Sequence, residues 1–268
     1  MIGRNTGARP EPATIAPSPT PSPTASPTSA PLVPAVTPTL GRDDLLQAAR
    51  AATDTFASGR PLPPEVVALD GRRFELRLPF GCRGPAPADA PLGWRYDEES
   101  ETLRVSVSPD RFEPASWLAA DTIADIDLVE GFWIDRPWTT SEVCPPLSSS
   151  PVADVAPAPA PERTFALAQF HGTGESRVGR RNGEAYKLVE KIAPDALNLT
   201  QGLQLRLTGR IVAAPGGAGP VLCRPPAQAD GRPVCLISVS LEEVAIENPA
   251  TTSTLATWEV SNARVADS

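Results

Sequence analysis

Apolar and polar residues alternate along most of this chain, and the alternation predicts strands. Phe74, Leu76 and Leu78 alternate with Glu75 and Arg77 ahead of Gly81-Cys82. Leu103, Val105 and Val107 alternate after the acidic turn Asp97-Glu98-Glu99-Ser100. With Trp94 and Tyr96 before that turn, the segment predicts a hairpin. Ile126, Leu128 and Phe132-Trp133-Ile134 predict a strand pair, or one strand bulged around Gly131. The period of two returns at Phe165 and Leu167, at Leu203, Leu205, Leu207 and Ile211, at Cys235, Ile237, Val239 and Leu241, and from Leu255 to Val260. Asn182-Gly183 is a two-residue hairpin signal, because both residue types tolerate positive φ.

One segment follows a helical period instead. Leu45, Ala49, Ala52 and Phe56 recur at i, i+4, i+7 and i+11 on one face. Asp43 is placed to cap this helix, and Gly59 to end it before Pro61. Pro114 to Ala124 predicts a second short helix.

Two stretches carry neither period. Between Pro10 and Pro38 ten prolines are interleaved with Ala, Ser and Thr. Proline fixes φ and lacks an amide hydrogen, so this stretch predicts a polyproline-rich stalk with a reach of roughly 90 Å. Pro145 to Pro161 repeats the composition. The expected fold class is mainly β, with a disordered proline-rich N-terminal stalk followed by two small β-rich domains. The expected boundaries are a stalk over 1–40, an acidic helix-plus-β domain over 41–147, a Pro/Ala-rich linker over 148–162, and an all-β domain over 163–268. That last domain is expected to be a small barrel or sandwich.

The cysteines fit this division. Cys82 and Cys144 fall in the first domain, and Cys223 and Cys235 in the second. None lies in a CxxC pair, and His171 is the single histidine, so the set does not match a structural zinc site with its closely spaced ligand pairs. Disulfides Cys82–Cys144 and Cys223–Cys235 are expected, with no metal and no cofactor. They imply a periplasmic or secreted location. Met1-Ile-Gly-Arg opens no signal peptide, and no run of apolar residues is long enough to span a bilayer. A leader or membrane anchor upstream of this sequence is therefore expected, with the stalk as its spacer.

Charge narrows the function classes. The net charge of −8 argues against a general affinity for nucleic acid. Residues 41–147 hold 19 acidic and 11 basic side chains, whereas residues 162–268 hold 11 of each, so the acidity belongs to the first half. Lys187 and Lys191 are the only lysines.

The candidate chemistry is sparse. His171-Gly172-Thr173-Gly174 precedes Arg177, Arg180 and Arg181, which makes these arginines candidates for anion binding. A nucleotide fingerprint would place a helix after the glycine turn, and here a hairpin signal follows. A serine or cysteine nucleophile would need His171 as its base, no GxSxG is present, and no catalytic residue is assigned. Trp94 and Trp133 beside Asp125 and Asp127 are candidates for ligand binding, with indole faces stacking on sugar rings and carboxylates accepting from hydroxyls. The resulting expectation is an extracytoplasmic binding or scaffold protein whose partner is an envelope protein or a glycan. The alternative is a carbohydrate-binding or carbohydrate-active protein using the acidic, Trp-rich first domain.

Overall fold

In the computed structural model the described residues are 3, 7, 37–87, 89–136, 139–145, 162–173, 181, 184–217, 219–226 and 231–260. The stalk up to residue 36, apart from Gly3 and Gly7, the linker residues 148–161, and Asn182-Gly183 lie outside them. Residues Thr37–Ser268 form one compact unit. It begins with α1 (Arg42–Ala57), α2 (Pro64–Val67), β1 (Arg73–Phe80), β2 (Leu92–Asp97), β3 (Thr102–Val107) and β4 (Asp110–Phe112). It continues with α3 (Ala120–Ile123), β5 (Ile126–Trp133), β6 (Phe165–Gly172), β7 (Tyr186–Lys191), β8 (Leu203–Ile211), β9 (Val221–Arg224), β10 (Val234–Asn248) and β11 (Ser253–Glu259).

The mainly β class holds, but the division into two domains does not. A large mixed sheet runs β1-β8-β10-β6-β5-β4, with β9 and β11 also paired to β10, and a second sheet runs β2-β3-β7. Three ladders join strands from opposite sides of the proline-rich linker: β1 with β8, β3 with β7, and β5 with β6. A sheet edge leaves a row of amides and carbonyls unpaired, and here the edges of each half are completed by the other half. The linker falls between β5 and β6, adjacent antiparallel strands of one sheet, and not at a domain boundary. The stalk boundary shifts as well. Leu40 is buried, its amide donates to the Arg73 carbonyl at 2.9 Å, and it bridges to Phe74.

β10 organises the molecule. Its first residues pair with β9 on one side and, in parallel, with β6 on the other. Beyond Val239 it pairs with β8 and then also with β11. The ladder to β8 shifts register between Leu241 and Glu243, which leaves Glu242 as a bulge residue. A strand shared in this way brings strands from both halves onto one main core. That core contains Phe74, Leu76, Leu78 and Phe80 of β1, Leu203, Leu205, Leu207 and Ile211 of β8, and Leu103, Val105 and Val107 of β3. Fully burying each such leucine contributes about 1.5–3 kcal/mol.

α1 closes one side through Leu45, Ala49 and Ala52, with Leu46 and Ala48 also buried. Phe56, expected on that stripe, is exposed at the end of the helix. The N-cap is Gly41, whose amide donates to the carboxylate of Asp44 at 2.8 Å, one residue later than expected. Gly59, at φ +65°, ends the helix as expected. The Pro114–Ala124 prediction resolves into a single 3-10 turn and the four-residue α3.

β5 is one strand, and its bulge lies between Ile126 and Leu128, not at Gly131. Gly131 answers a close approach instead. A Cβ there would sit 1.9 Å from the Leu167 carbonyl oxygen and 2.8 Å from Ala168 Cα.

Both expected disulfides are present, Cys82–Cys144 and Cys223–Cys235, and they suggest an oxidising, extracytoplasmic environment. Cys223 and Cys235 are register partners on β9 and β10. Cys82–Cys144 ties residues 139–145 to the end of β1. The same segment is held by Gln204 Nε2 donating to the Glu142 carbonyl at 2.6 Å and by Arg42 Nε donating to that of Thr139 at 2.7 Å. Among the described residues, no helix is long and apolar enough to cross a membrane.

Candidate functional site

The tryptophans singled out from the sequence belong to different packing clusters. Trp94 is half-buried against the main core beneath Gly81, where a Cβ would come within 2.4 Å of the indole. Trp133 packs in a second cluster on the other face of the large sheet, edge-on to Phe112 at 5.2 Å. Trp117 joins that cluster, with the Arg224 guanidinium 4.7 Å from its ring. Asp125 and Asp127 lie exposed around the start of β5. These four residues are not brought together into a cleft. Arg177 and Arg180 lie outside the described residues. Arg181 is described, and its guanidinium is occupied by the carbonyls of Glu184 and Ala185 and by the Tyr186 ring 4.4 Å away.

His171 is not part of an open glycine loop. It lies one residue from the end of β6, 2% exposed, with Nε2 3.4 Å from Oε1 of the buried Glu130 on β5. The same Glu130 oxygen accepts the Arg181 amide at 2.8 Å. Gln169, also buried, accepts the Leu241 amide at 3.1 Å, next to the place where the β10 register slips. Tyr186 lies against this cluster, and burial pushes its hydroxyl up to about 12, with Arg181 opposing that rise and Glu130 adding to it. The contacts of these buried groups run between β5, β6, β10 and the start of β7. The arrangement joins the strands.

The arrangement that faces outward is on the smaller sheet. Trp94, Val105 and Leu188 are paired across β2, β3 and β7, and Val105 is buried in the core. The alternating positions point the other way: Gly93 and Arg95 on β2, Arg104 and Ser106 on β3, and Lys187, Val189 and Lys191 on β7. Arg95, Arg104, Lys187 and Lys191 are all exposed, and Val189 is 59% exposed. Both lysines of the protein thus stand on one face. Asp97 is the carboxylate of that face. The Ser100 amide, 3.0 Å from it, holds it below the usual carboxylate range, with a smaller contribution from Arg104.

A groove of about 320 Å³ runs over this face, lined by Arg95, Arg104 and Lys187, with Ala86, Pro87 and Ala90 as its wall. The wall is fastened to the sheet. The Ala86 amide donates to the Trp94 carbonyl at 3.0 Å, and the missing side chain of Gly93 leaves room for Ala86, whose Cβ would otherwise be 2.5 Å away.

A comparison within the molecule gives this face its meaning. Three arginine pairs stand directly opposite each other on adjacent strands: Arg73 with Arg210, Arg77 with Arg206, and Arg95 with Arg104. Like charges in that relation are destabilising. The first pair is bridged by the bulge residue Glu242, which binds Arg73 through one oxygen and Arg210 at 3.2 Å through the other. The second is bridged by Glu247, 2.9 Å from Arg77 and 2.6 Å from Arg206. Among the described residues, no carboxylate bridges Arg95 and Arg104. The larger cavity, about 460 Å³ beside the start of α1, resembles the bridged pairs, since Arg77 on its wall already meets Glu75 and Glu142.

Sequence reasoning missed this face because it needs β7 beside β3, and the two are separated by about eighty residues of chain. The usable signal was the spacing of Lys187 and Lys191 with Val189 between them. Comparison with family models, with curated proteins and with solved structures finds no significant match to the chain.

Proposed function

We propose that this is a periplasmic or secreted binding protein of the cell envelope, and that the outer face of β2-β3-β7 is its ligand surface. The observation that carries the reading is the fastened groove lined by Arg95, Arg104 and Lys187 on a chain of net charge −8. Charge of one sign gathered in a concave surface concentrates a partner of the other sign, even when the whole molecule carries that partner's sign. A rigid wall and a sheet backbone lower the ordering cost of binding. The two disulfides are consistent with service outside the cytoplasm.

The test is a titration of the full chain, by calorimetry at low ionic strength, against neutral and anionic glycans and other anionic polymers. Saturable binding to an anionic ligand that is weakened by Arg95→Ser/Arg104→Ser supports the reading. Binding that is indifferent to those substitutions, or none to any ligand, overturns it.

A further inference from the structure

Resting on that reading of the β2-β3-β7 face, we infer that its ligand is an acidic polysaccharide whose uronate carboxylates take the place left between Arg95 and Arg104. The molecule supplies its own template. In both of its other opposed arginine pairs, a single carboxylate spans the two guanidinium groups, one oxygen to each: Glu242 for Arg73 and Arg210, and Glu247 for Arg77 and Arg206. The third pair has the same register relation but no such bridge among the described residues. Its groove is open to a carboxylate from outside. Charge-assisted bonds of this kind are the strong ones, and the planar guanidinium matches carboxylate geometry.

The form of the ligand follows from the layout of the face. Lys187, opposite Ser106, and Lys191, opposite Thr102, continue the positive charge across to β7. A chain laid across the strands meets Arg95 and Arg104 in one row, with Val189 opposite Arg104 on β7 and Lys187 and Lys191 two residues to either side of it. One uronate carboxylate spans Arg95 and Arg104, and uronates further along the polysaccharide reach Lys187 or Lys191. Ala86, Pro87, Ala90 and Val189 offer small apolar surfaces for the ring faces. Nucleic acid would call for aromatic platforms on the face, whereas Trp94 is half-buried on the core side. A flat bilayer would not enter a groove walled by Ala86, Pro87 and Ala90.

The experiment measures affinity of the full chain for polygalacturonate, its carboxyl-reduced neutral counterpart, a single-stranded oligonucleotide, and anionic phospholipid vesicles. Polygalacturonate is expected to bind saturably and the neutral counterpart not at all. Arg95→Ser/Arg104→Ser should weaken binding at least about tenfold. Arg73→Ser/Arg210→Ser, which removes the same charge from a bridged pair, should leave it within about twofold. Arg104→Glu gives a second readout: it supplies Arg95 with an internal partner, so it should abolish binding while leaving Tm unchanged or higher. Equal losses from both double variants would reduce the effect to general electrostatics and overturn the inference. Oligonucleotide or vesicle binding through Arg95 and Arg104, without polygalacturonate binding, overturns the uronate assignment but leaves the face as the ligand surface. No binding to any probe overturns both.

Discussion

Cys82–Cys144 closes a loop with a sequence separation of 62 residues, and Cys223–Cys235 one of 12. If a disulfide acts mainly by restricting the unfolded chain, the two bonds contribute about 4.3 and about 2.8 kcal/mol, a difference of about 1.5 kcal/mol. The folded structure sharpens the comparison. Cys223 and Cys235 are already register partners in adjacent strands, and Cys235 is fully buried in the core. Replacing Cys235 therefore mixes a packing loss with the loss of the bond.

The measurement that separates these effects uses two variants, Cys82→Ala/Cys144→Ala and Cys223→Ala/Cys235→Ala, each retaining one bond. Urea unfolding of each variant, with and without a reductant, isolates the retained bond at constant side-chain composition. With a urea dependence of about 2 kcal/mol per molar, reduction should move the midpoint of the variant keeping Cys82–Cys144 about 0.7 M further than that of the other. Equal shifts, or the reverse order, would refute the entropic account and point to native-state packing as the larger contribution of these bonds.

Gly131→Ala should lower stability by about 3 kcal/mol or more, because the added methyl meets the Leu167 carbonyl and Ala168 Cα, and neither can rotate away; an unchanged Tm would show that β5 and β6 do not approach so closely. Tyr186, raised from 10 to about 12, favours the folded state while its hydroxyl is protonated. Its contribution, about 3 kcal/mol, is complete below pH 10 and is lost as pH rises through about 12. A pH-jump difference titration of tyrosinate absorbance between the native protein and Tyr186→Phe should show a midpoint near 12, and a midpoint near 10 would remove burial as the cause.

Local features were legible where local physics decides them. The period-two runs at 74–78, 103–107, 203–211 and 235–241 all became strands, because a half-buried strand must alternate. The helix over 42–57 and its stop at Gly59 followed from a 3.6-residue period and a positive φ. The cysteine pairing was also legible. Gly131 was misread, because a glycine inside a strand signals either a bulge or a close backbone approach, and only the neighbouring strand tells which. Trp94 and Trp133 were read as ligand platforms because indole suits both stacking and packing, and burial selects between them.

What the sequence by itself determined is therefore most of the long strands, the first helix, the two disulfides and the overall acidity. These depend on residue type and near-neighbour spacing. The tertiary structure alone decided that the halves flanking the linker share their sheets, since strand partners are chosen by edges that sequence periodicity does not name. It also decided the charge of each face. Counted along the chain, the segment holding Arg95 and Arg104 is acidic. Folded against β7, the same strands present four cations on one face, and among the described residues the arginine pair there has no carboxylate like those that bridge the other two.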